Sequence, residues 1–157
     1  MINIIINDKA DIVYPYQCGI YQWCADFNME IFSEFVKSWS GTAVLDKNKR
    51  LSNSTIGWCQ FIDRQKYIDS YMMNENFVSW GCEDDEFYFR MSTLGNRIGR
   101  INDYVYHLEH ARGENSWFSN PHMQSNMSEW DKIQSMSKNN LLQYYSEQEY
   151  LKKYAGI

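Results

Sequence analysis

The chain has 157 residues, 44% of them hydrophobic, with six Trp, twelve Tyr and eight Phe but only eight Gly and two Pro. This ring content excludes a mainly disordered chain, and the scarcity of Gly and Pro excludes collagen and low-complexity linkers. The formal charge of −5 argues against a general nucleic-acid binder, which needs excess Lys and Arg to displace phosphate counterions. We expect one folded acidic domain over 1–157 with no nucleic-acid partner.

No segment approaches the roughly 20 apolar residues that a membrane span requires. The early apolar run Ile4–Ile6 stops at Asn7, and it lacks the basic start and small-residue cleavage site of a signal peptide. The four cysteines form no CxxC pair or disulfide framework, which is typical of free thiols in a reducing compartment. We therefore predict a cytoplasmic protein with no membrane span.

The first half of the chain alternates strand and helix patterns. A β-branched and aromatic segment predicts a strand, a four-residue apolar repeat predicts an amphipathic helix, and a polar stretch predicts a loop. An apolar run then predicts a buried strand, followed by a short helix that begins after a capping aspartate. In order, these elements are the strand Ala10–Tyr16, the helix Asp26–Trp39, the loop Lys47–Ser54, the strand Thr55–Ile62 and the helix Asp63–Met72.

The second half is predicted to be mainly helical. Acidic residues fill the first turn of one helix, and Gly95 sits where a left-handed C-cap would end it. The predicted elements are the helix Glu83–Leu94, the strand Arg97–His107, the loop Ser116–Asn126, a helix with a capping-box-like start at Ser128–Asp131, and a last helix Leu141–Tyr154. The pattern predicts an α/β protein, a mixed sheet with flanking helices, with its C-terminal helices over 128–154.

The most informative segment is the acidic turn Trp80–Glu86, with sequence Trp-Gly-Cys-Glu-Asp-Asp-Glu. One interpretation is a solvated helix N-terminus, where the helix dipole favours negative charge. The other is a ligand site, because a ring and a glycine before carboxylates suit a turn that presents both to a sugar. A carboxylate beside a sugar hydroxyl can accept its proton as that hydroxyl attacks.

A second candidate is the pair His107 and His110. Histidines three apart share a helix face but lie on opposite faces of a strand, so a joint metal site requires the strand to end between them. Two imidazoles do not fill a coordination sphere, and a hard ion such as Mn²⁺ also needs oxygen ligands. Glu109 is a further ligand in principle. The alternative is two partly exposed histidines at a strand end.

Taken together, Asn74–Phe77, the acidic turn with Arg90, and His107–His110 with Arg112 resemble the C-terminal half of GT-A glycosyltransferases. The nearest likeness is to the β-1,4-galactosyltransferase C-terminal domain and its bacterial relatives, including chondroitin-polymerase-like enzymes. The resemblance covers mainly residues 55–115, with a weaker likeness at the strand 10–16.

This resemblance implies inverting transfer of a hexose from a UDP-sugar to a glycan hydroxyl, with Mn²⁺ or Mg²⁺ as cofactor. Asp84 would be the general base, Trp80 the mobile ring that closes over the substrates, and Gly81 the residue that lets the loop move. Glu83 would bind the acceptor sugar. The other implied acceptor contacts are Phe77 and Asp85, and the implied metal ligands are His110 and, in some relatives, His107.

The chain also departs from the family pattern. Cys82 replaces a glycine, Ile56-Gly57-Trp58 stands where relatives have paired glycines near the donor, and no Asp-x-Asp motif occurs. The resemblance therefore implies an acceptor portion without the N-terminal nucleotide-binding half. We expect weak or no UDP-sugar binding by this chain alone, and self-association or pairing with the missing half.

Two other functions remain open at this stage. One is a non-catalytic carbohydrate-binding or interaction module derived from a glycosyltransferase. The other is an ordinary α/β domain whose acidic helix cap is a coincidence.

Overall fold

The computed structural model describes residues 7, 9–26, 28–38, 45, 49–52 and 56–154. Its chain divides into two compact units. The first comprises Met1–Val13, Phe61–Gly99 and Arg112–Ile157, and the second comprises Tyr14–Gln60 and Arg100–Ala111. The single domain expected over 1–157 stays a prediction.

Helices and short strands alternate along the described residues. The strands are β1 Ile12–Tyr14, β2 Gln22–Ala25, β3 Lys49–Leu51, β4 Phe61–Ile62, β5 Ile98–Arg100 and β6 Val105–Leu108. The α-helices are α1 Met29–Ser38, α2 Arg64–Asp69, α3 Glu83–Leu94, α4 Met123–Ile133 and α5 Lys138–Ser146, with 3₁₀ turns at Gly19–Tyr21 and Glu149–Tyr154. The α/β class predicted from the sequence is confirmed.

One three-stranded sheet has the order β4-β1-β5. Its central strand β1 is buried along its whole length, which confirms the predicted strand within 10–16. The strand pairs antiparallel with β4, placing Ile12 opposite Ile62. Just before β1, Asp11 accepts hydrogen bonds from the backbone N–H of Arg97 (2.7 Å) and from its guanidinium (2.8 Å). The side-chain hydrogen bond from Arg97 holds the pKa of Asp11 below its ordinary value.

The second unit contains a sheet of order β3-β2-β6, in which β2 runs antiparallel to β3 and parallel to β6. This confirms a mixed sheet. β3 lies inside the predicted loop 47–54, so that prediction is wrong at Lys49–Leu51. Its sequence, Lys-Arg-Leu, carries no strand pattern, and pairing with β2 supplies the order instead. The predicted strand 55–62 also shrinks to Phe61–Ile62 among the described residues.

Helix α1 confirms the helix predicted over 26–39. Of its predicted buried stripe, Ile31 and Phe35 are partly buried, whereas Phe32 and Val36 are 41% and 47% exposed. Two further members of that stripe, Phe27 and Trp39, lie outside the described residues.

Local capping signals explain the best-predicted helices. Asp63 caps α2 by accepting a hydrogen bond from the N–H of Lys66 at 2.9 Å. Helix α3 ends at Gly95, whose φ of 97° is left-handed. The strand predicted over 97–107 is found as the separate strands β5 and β6.

The start predicted for α4 is wrong. This helix begins at Met123 rather than after Ser128, so the predicted loop 116–126 is shorter than expected. The hydroxyl of Ser128 donates to the carbonyl of Gln124 at 2.9 Å, one turn back, as a serine inside a helix does. The last predicted helix is confirmed as α5, which Ser137 caps, followed by the 3₁₀ turn Glu149–Tyr154.

Helices α3 and α5 build the core of the first unit around a buried polar network. Arg90 and Glu86 are both fully buried and pair through Nε and Oε1 at 2.7 Å. The Arg90 guanidinium also donates to the carbonyls of Ser70 and Met72. Tyr145 on α5 donates its hydroxyl to Glu86. Since each guanidinium nitrogen of Arg90 has an acceptor, the network joins α3, α5 and the chain after α2.

Two tyrosines of the first unit provide a matched test of this network. The Tyr145 hydroxyl donates to Glu86 and accepts from Asn74 Nδ2 at 3.0 Å. The buried Tyr150 hydroxyl has no hydrogen-bond partner among the described residues. We expect Tyr145→Phe to lower the free energy of unfolding by about 1–3 kcal/mol, because two buried groups lose a partner. Tyr150→Phe should be neutral or stabilising in the same urea titration, and equal losses would contradict the network.

No helix in the described part of the chain is both long enough and apolar enough to cross a bilayer. All four cysteines are described and carry free thiols, as predicted.

Candidate functional site

The acidic turn leads directly into α3 in the first unit. Gly81 and Cys82 adopt left-handed conformations, with φ of 127° and 67°. The N–H of Gly81 donates to Glu83 Oε2 at 2.6 Å. Glu83, Asp84, Asp85 and Glu86 then fill the first turn of the helix, where the helix dipole favours negative charge. The predicted acidic helix start is confirmed.

The four acids have different surroundings. Glu83 accepts a hydrogen bond from the N–H of Gly81, and the buried Glu86 forms an ion pair with Arg90. No hydrogen bond or ion pair joins Asp84 to another described residue. Desolvation, together with repulsion from Glu83 and Asp85, raises the pKa of Asp84 to about 6. Asp84 is therefore a partly buried carboxylate that can accept or release a proton near neutral pH.

Desolvation also raises the pKa of the neighbouring Asp85, although this side chain is exposed. The acidic turn thus holds two carboxyl groups, Asp84 and Asp85, that have no hydrogen bond or ion pair to the described residues, and the pKa of Asp84 is the more strongly raised.

Trp80, the first residue of the acidic turn, packs against two other aromatic rings. Trp80 stacks on Trp117 with ring centroids 5.3 Å apart and meets Phe118 edge-on at 5.2 Å. Trp117 is 46% exposed and Phe118 is 65% exposed. The guanidinium carbon of Arg112 lies 4.8 Å from the centre of the Trp117 ring. We call Trp80, Trp117 and Phe118 the ring cluster.

Two members of the ring cluster were missed by sequence reasoning. Trp117 and Phe118 lie in the segment 116–126, whose polar composition predicts only a loop. The available signal was the adjacency of two large rings there, because exposed rings grouped together are uncommon unless they bind something.

Two buried asparagines hold the backbone of this turn. Asn126 accepts from the N–H of Val78 at 3.1 Å and donates to the Val78 carbonyl at 3.0 Å. Asn120 donates to the carbonyl of Trp80 at 2.6 Å. A side chain at Gly81 would have its Cβ 2.7 Å from Met123 Sδ. The predicted roles of Trp80 and Gly81 in loop motion stay predictions.

The structure places Phe77 in the hydrophobic core, which is the alternative to the sugar contact predicted for it. Its ring is 9% exposed and clusters with Ile133, Leu141 and Tyr145. The neighbouring Asn76 donates to the hydroxyl of Tyr144 at 2.9 Å. The segment 74–77 therefore joins α5 to the rest of the first unit.

The histidine candidates lie in the second unit. The rings of His107, on β6, and His110 have centroids 5.6 Å apart, and Trp58 lies 5.2 Å from His107. Glu109 instead accepts from Arg50 at 2.7 Å. Partial burial acts to raise the pKa of Glu109, but hydrogen bonds from Cys24 and Arg50 hold it below its ordinary value.

The described residues do not make a metal site by themselves. No group of three or more His, Cys, Asp or Glu side chains among them could hold an ion. The two neighbouring imidazoles fall short of the oxygen-rich set that Mn²⁺ or Mg²⁺ prefers, and Glu109 is committed to Arg50. Metal binding by His107 and His110 stays a prediction.

The comparison with known families adds to this geometry. Residues 43–111 match a galactosyltransferase family model. That family is described as the N-terminal domain of galactosyltransferase. No curated protein matches the chain. Residues 43–111 are thus similar to that family, which supports the predicted resemblance at the level of the family, and we call them the galactosyltransferase-related region.

The galactosyltransferase-related region contains every site residue predicted from the sequence: Phe77, Trp80, Gly81, Glu83, Asp84, Asp85, His107 and His110. It ends before the two asparagines and the rings of Trp117 and Phe118. The finer likenesses, to the C-terminal domain and to chondroitin-polymerase-like enzymes, stay predictions.

Proposed function

We propose that the acidic turn and the ring cluster form the acceptor side of a glycosyltransferase that moves a hexose from a UDP-sugar to a glycan hydroxyl. The main support for this proposal is the environment of Asp84. This residue is partly buried, lacks a hydrogen-bond partner among the described residues and has its pKa raised to about 6, and it lies in the same turn as Trp80, which stacks on the exposed ring of Trp117. Its position inside a galactosyltransferase-related region supports sugar transfer over other base-catalysed reactions.

In the proposed reaction Asp84 acts as the general base. The acceptor oxygen forms a bond to the anomeric carbon of the donor while its proton moves to the Asp84 carboxylate. The bond between that carbon and the diphosphate breaks, and UDP leaves with the electron pair, so the anomeric configuration inverts. A base of pKa about 6 is mostly ionised at pH 7.5 and still accepts a proton readily.

The other residues of the site would bind the acceptor. A sugar presents apolar C–H faces and polar hydroxyls, which suit the exposed rings of Trp117 and Phe118 and the carboxyl group of Asp85. Glu83 fixes the turn through the Gly81 N–H. No step is assigned to a metal ion, because the described residues do not complete a metal site.

A second candidate function is a carbohydrate-binding module without catalysis. The observation that favours it is the exposed ring cluster, which can hold a glycan without a donor nucleotide or metal. The two functions differ in what they require of Asp84, since binding alone needs no base.

A transfer assay distinguishes the two functions. Because weak UDP-sugar binding is expected of this chain alone, the chain is incubated with UDP-hexoses in large excess, Mn²⁺ and a panel of glycan acceptors, and binding to the same glycans is measured separately. We expect Trp80→Ala and Trp117→Ala to weaken glycan binding roughly 3- to 10-fold through loss of ring contacts. Tyr104→Ala, an exposed ring in the second unit, is the matched control and should have no effect.

Transfer that depends on Asp84 supports the enzyme. Glycan binding without transfer supports the binding module. The absence of both contradicts the proposal.

A further inference from the structure

We propose that Asn120 and Asn126 are positioning residues, which set the backbone of the acidic turn so that Trp80 and Asp84 face the same substrate. The inference rests on the proposed function. Neither residue lies in the galactosyltransferase-related region, and neither belongs to the site predicted from the sequence.

The contacts of Asn126 fix the entry to the turn. This side chain is fully buried, and it binds Val78 twice, accepting from the N–H at 3.1 Å and donating to the carbonyl at 3.0 Å. Its amide also lies 3.3 Å from the Trp80 carbonyl. Asn126 thus reproduces for Val78 the paired hydrogen bonds of a neighbouring strand.

Asn120 joins the two stacked tryptophans. Its side chain donates to the Trp80 carbonyl at 2.6 Å, while its backbone N–H donates to the Trp117 carbonyl at 2.8 Å. Its remaining side-chain oxygen accepts from the N–H of His122 at 3.0 Å. One buried residue therefore fixes both partners of the Trp80–Trp117 stack.

The turn needs this support because its own backbone is unfavourable. Ser79 and Cys82 adopt left-handed φ values of 63° and 67° without being glycine. Conformations of this kind persist only when the surroundings impose them. Without the asparagine amides, the turn is expected to relax and to separate Trp80 from Trp117.

The test compares Asn120→Ala and Asn126→Ala with Asn74→Ala. Asn74 is a matched control, since it is 4% exposed like Asn120 but donates to Tyr145 and has no hydrogen bond to Trp80 or Trp117 among the described residues. The readout is the near-ultraviolet circular dichroism of the stacked tryptophans, defined as the signal that Trp117→Phe removes. Asn120→Asp, which keeps the size and the acceptor for His122, serves if the alanine variant does not fold.

We expect the Asn120 and Asn126 variants to lose at least half of this signal at a temperature where they remain folded, and Asn74→Ala to keep it. Retention of the signal in the Asn120 and Asn126 variants would overturn the proposal. An equal loss in all three would also overturn it, because it would indicate a general effect of removing a buried amide.

A second arm links position to function. Per folded molecule, we expect Asn126→Ala to lower the transfer rate at least 10-fold and Asn74→Ala to lower it less than 2-fold. If the unaltered chain transfers no sugar, the proposed function fails and the spectroscopic arm still decides the positioning role. If transfer occurs but Asn126→Ala leaves its rate unchanged, the positioning role fails and the function stands.

Discussion

Replacing Asp84 with asparagine is expected to stabilise the folded chain by about 1–2 kcal/mol at pH 7.5, as measured by urea unfolding. The reason is that the pKa of Asp84 is about 6 in the fold against an ordinary value of 3.8. Each unit of that difference corresponds to about 1.4 kcal/mol, and partial exposure of the group reduces the full amount. A neutral amide of the same size avoids the desolvation and repulsion that the charged carboxylate bears.

Because the pKa of Asp84 is raised in the fold, the direction in which pH changes the free energy of unfolding is also determined. Between about pH 4 and 6 the folded chain holds the Asp84 proton more tightly than the unfolded chain does. The contribution of Asp84 to stability is therefore fully present below about pH 4 and is lost as the pH rises through about 6. Asp84→Asn should remove this part of the stability profile.

The same substitution should abolish the proposed chemistry. Loss of a general base commonly costs a factor of 10² to 10⁴, so we expect sugar transfer to fall at least 100-fold. Asp85→Asn is the matched control on the same helical turn, and we expect a smaller effect on both stability and transfer. If Asp84→Asn leaves the stability unchanged, the raised pKa of Asp84 is contradicted. If transfer persists in this variant, the role of Asp84 as general base is contradicted.

Arg90→Ala is expected to lower the free energy of unfolding by about 3–5 kcal/mol, the largest loss of stability that we predict. The substitution leaves the Glu86 carboxylate fully buried without its cation. It also removes the donor to the carbonyl of Met72 and the cation 4.6 Å from the centre of the Tyr145 ring. Thermal unfolding at neutral pH measures the effect.

The control for Arg90 is an exposed pair. Lys152 and Glu149 lie 2.6 Å apart but are 72% and 82% exposed, so Lys152→Ala should cost less than about 0.5 kcal/mol. The double variant Arg90→Met with Glu86→Leu should recover much of the stability, because no charge is then left buried alone. A loss below about 1 kcal/mol for Arg90→Ala would show that the network does not stabilise the fold.

Local chemistry made several elements predictable. Asp63 and Gly95 mark helix boundaries through side-chain capping and left-handed geometry, which depend on neighbouring residues alone. The acidic start of α3 was likewise predictable from the helix dipole. In contrast, β3 exists because β2 provides a partner, and nothing in Lys49–Leu51 itself indicates a strand.

The part of the candidate site that depends on local sequence was also predictable. The acidic turn is contiguous in sequence, so its ring and carboxylates were visible together. Trp117 is 37 positions from Trp80, and Asn126 is 48 positions from Val78, so only folding brings them together. Phe77 is a ring that was predicted to contact sugar and is instead buried. It lies near a polar motif in the sequence, and nothing local indicates that the distant residues Leu141 and Tyr145 cover it.

A carbon-13 NMR titration of the Asp84 carboxyl group, with and without acceptor glycans, tests directly whether Asp84 is a catalytic base at a sugar site. We predict a titration near pH 6 and a shift of the Asp84 and Trp80 signals on addition of a glycan that serves as acceptor. A titration near pH 4 together with no response to any glycan would contradict a catalytic base at a sugar site.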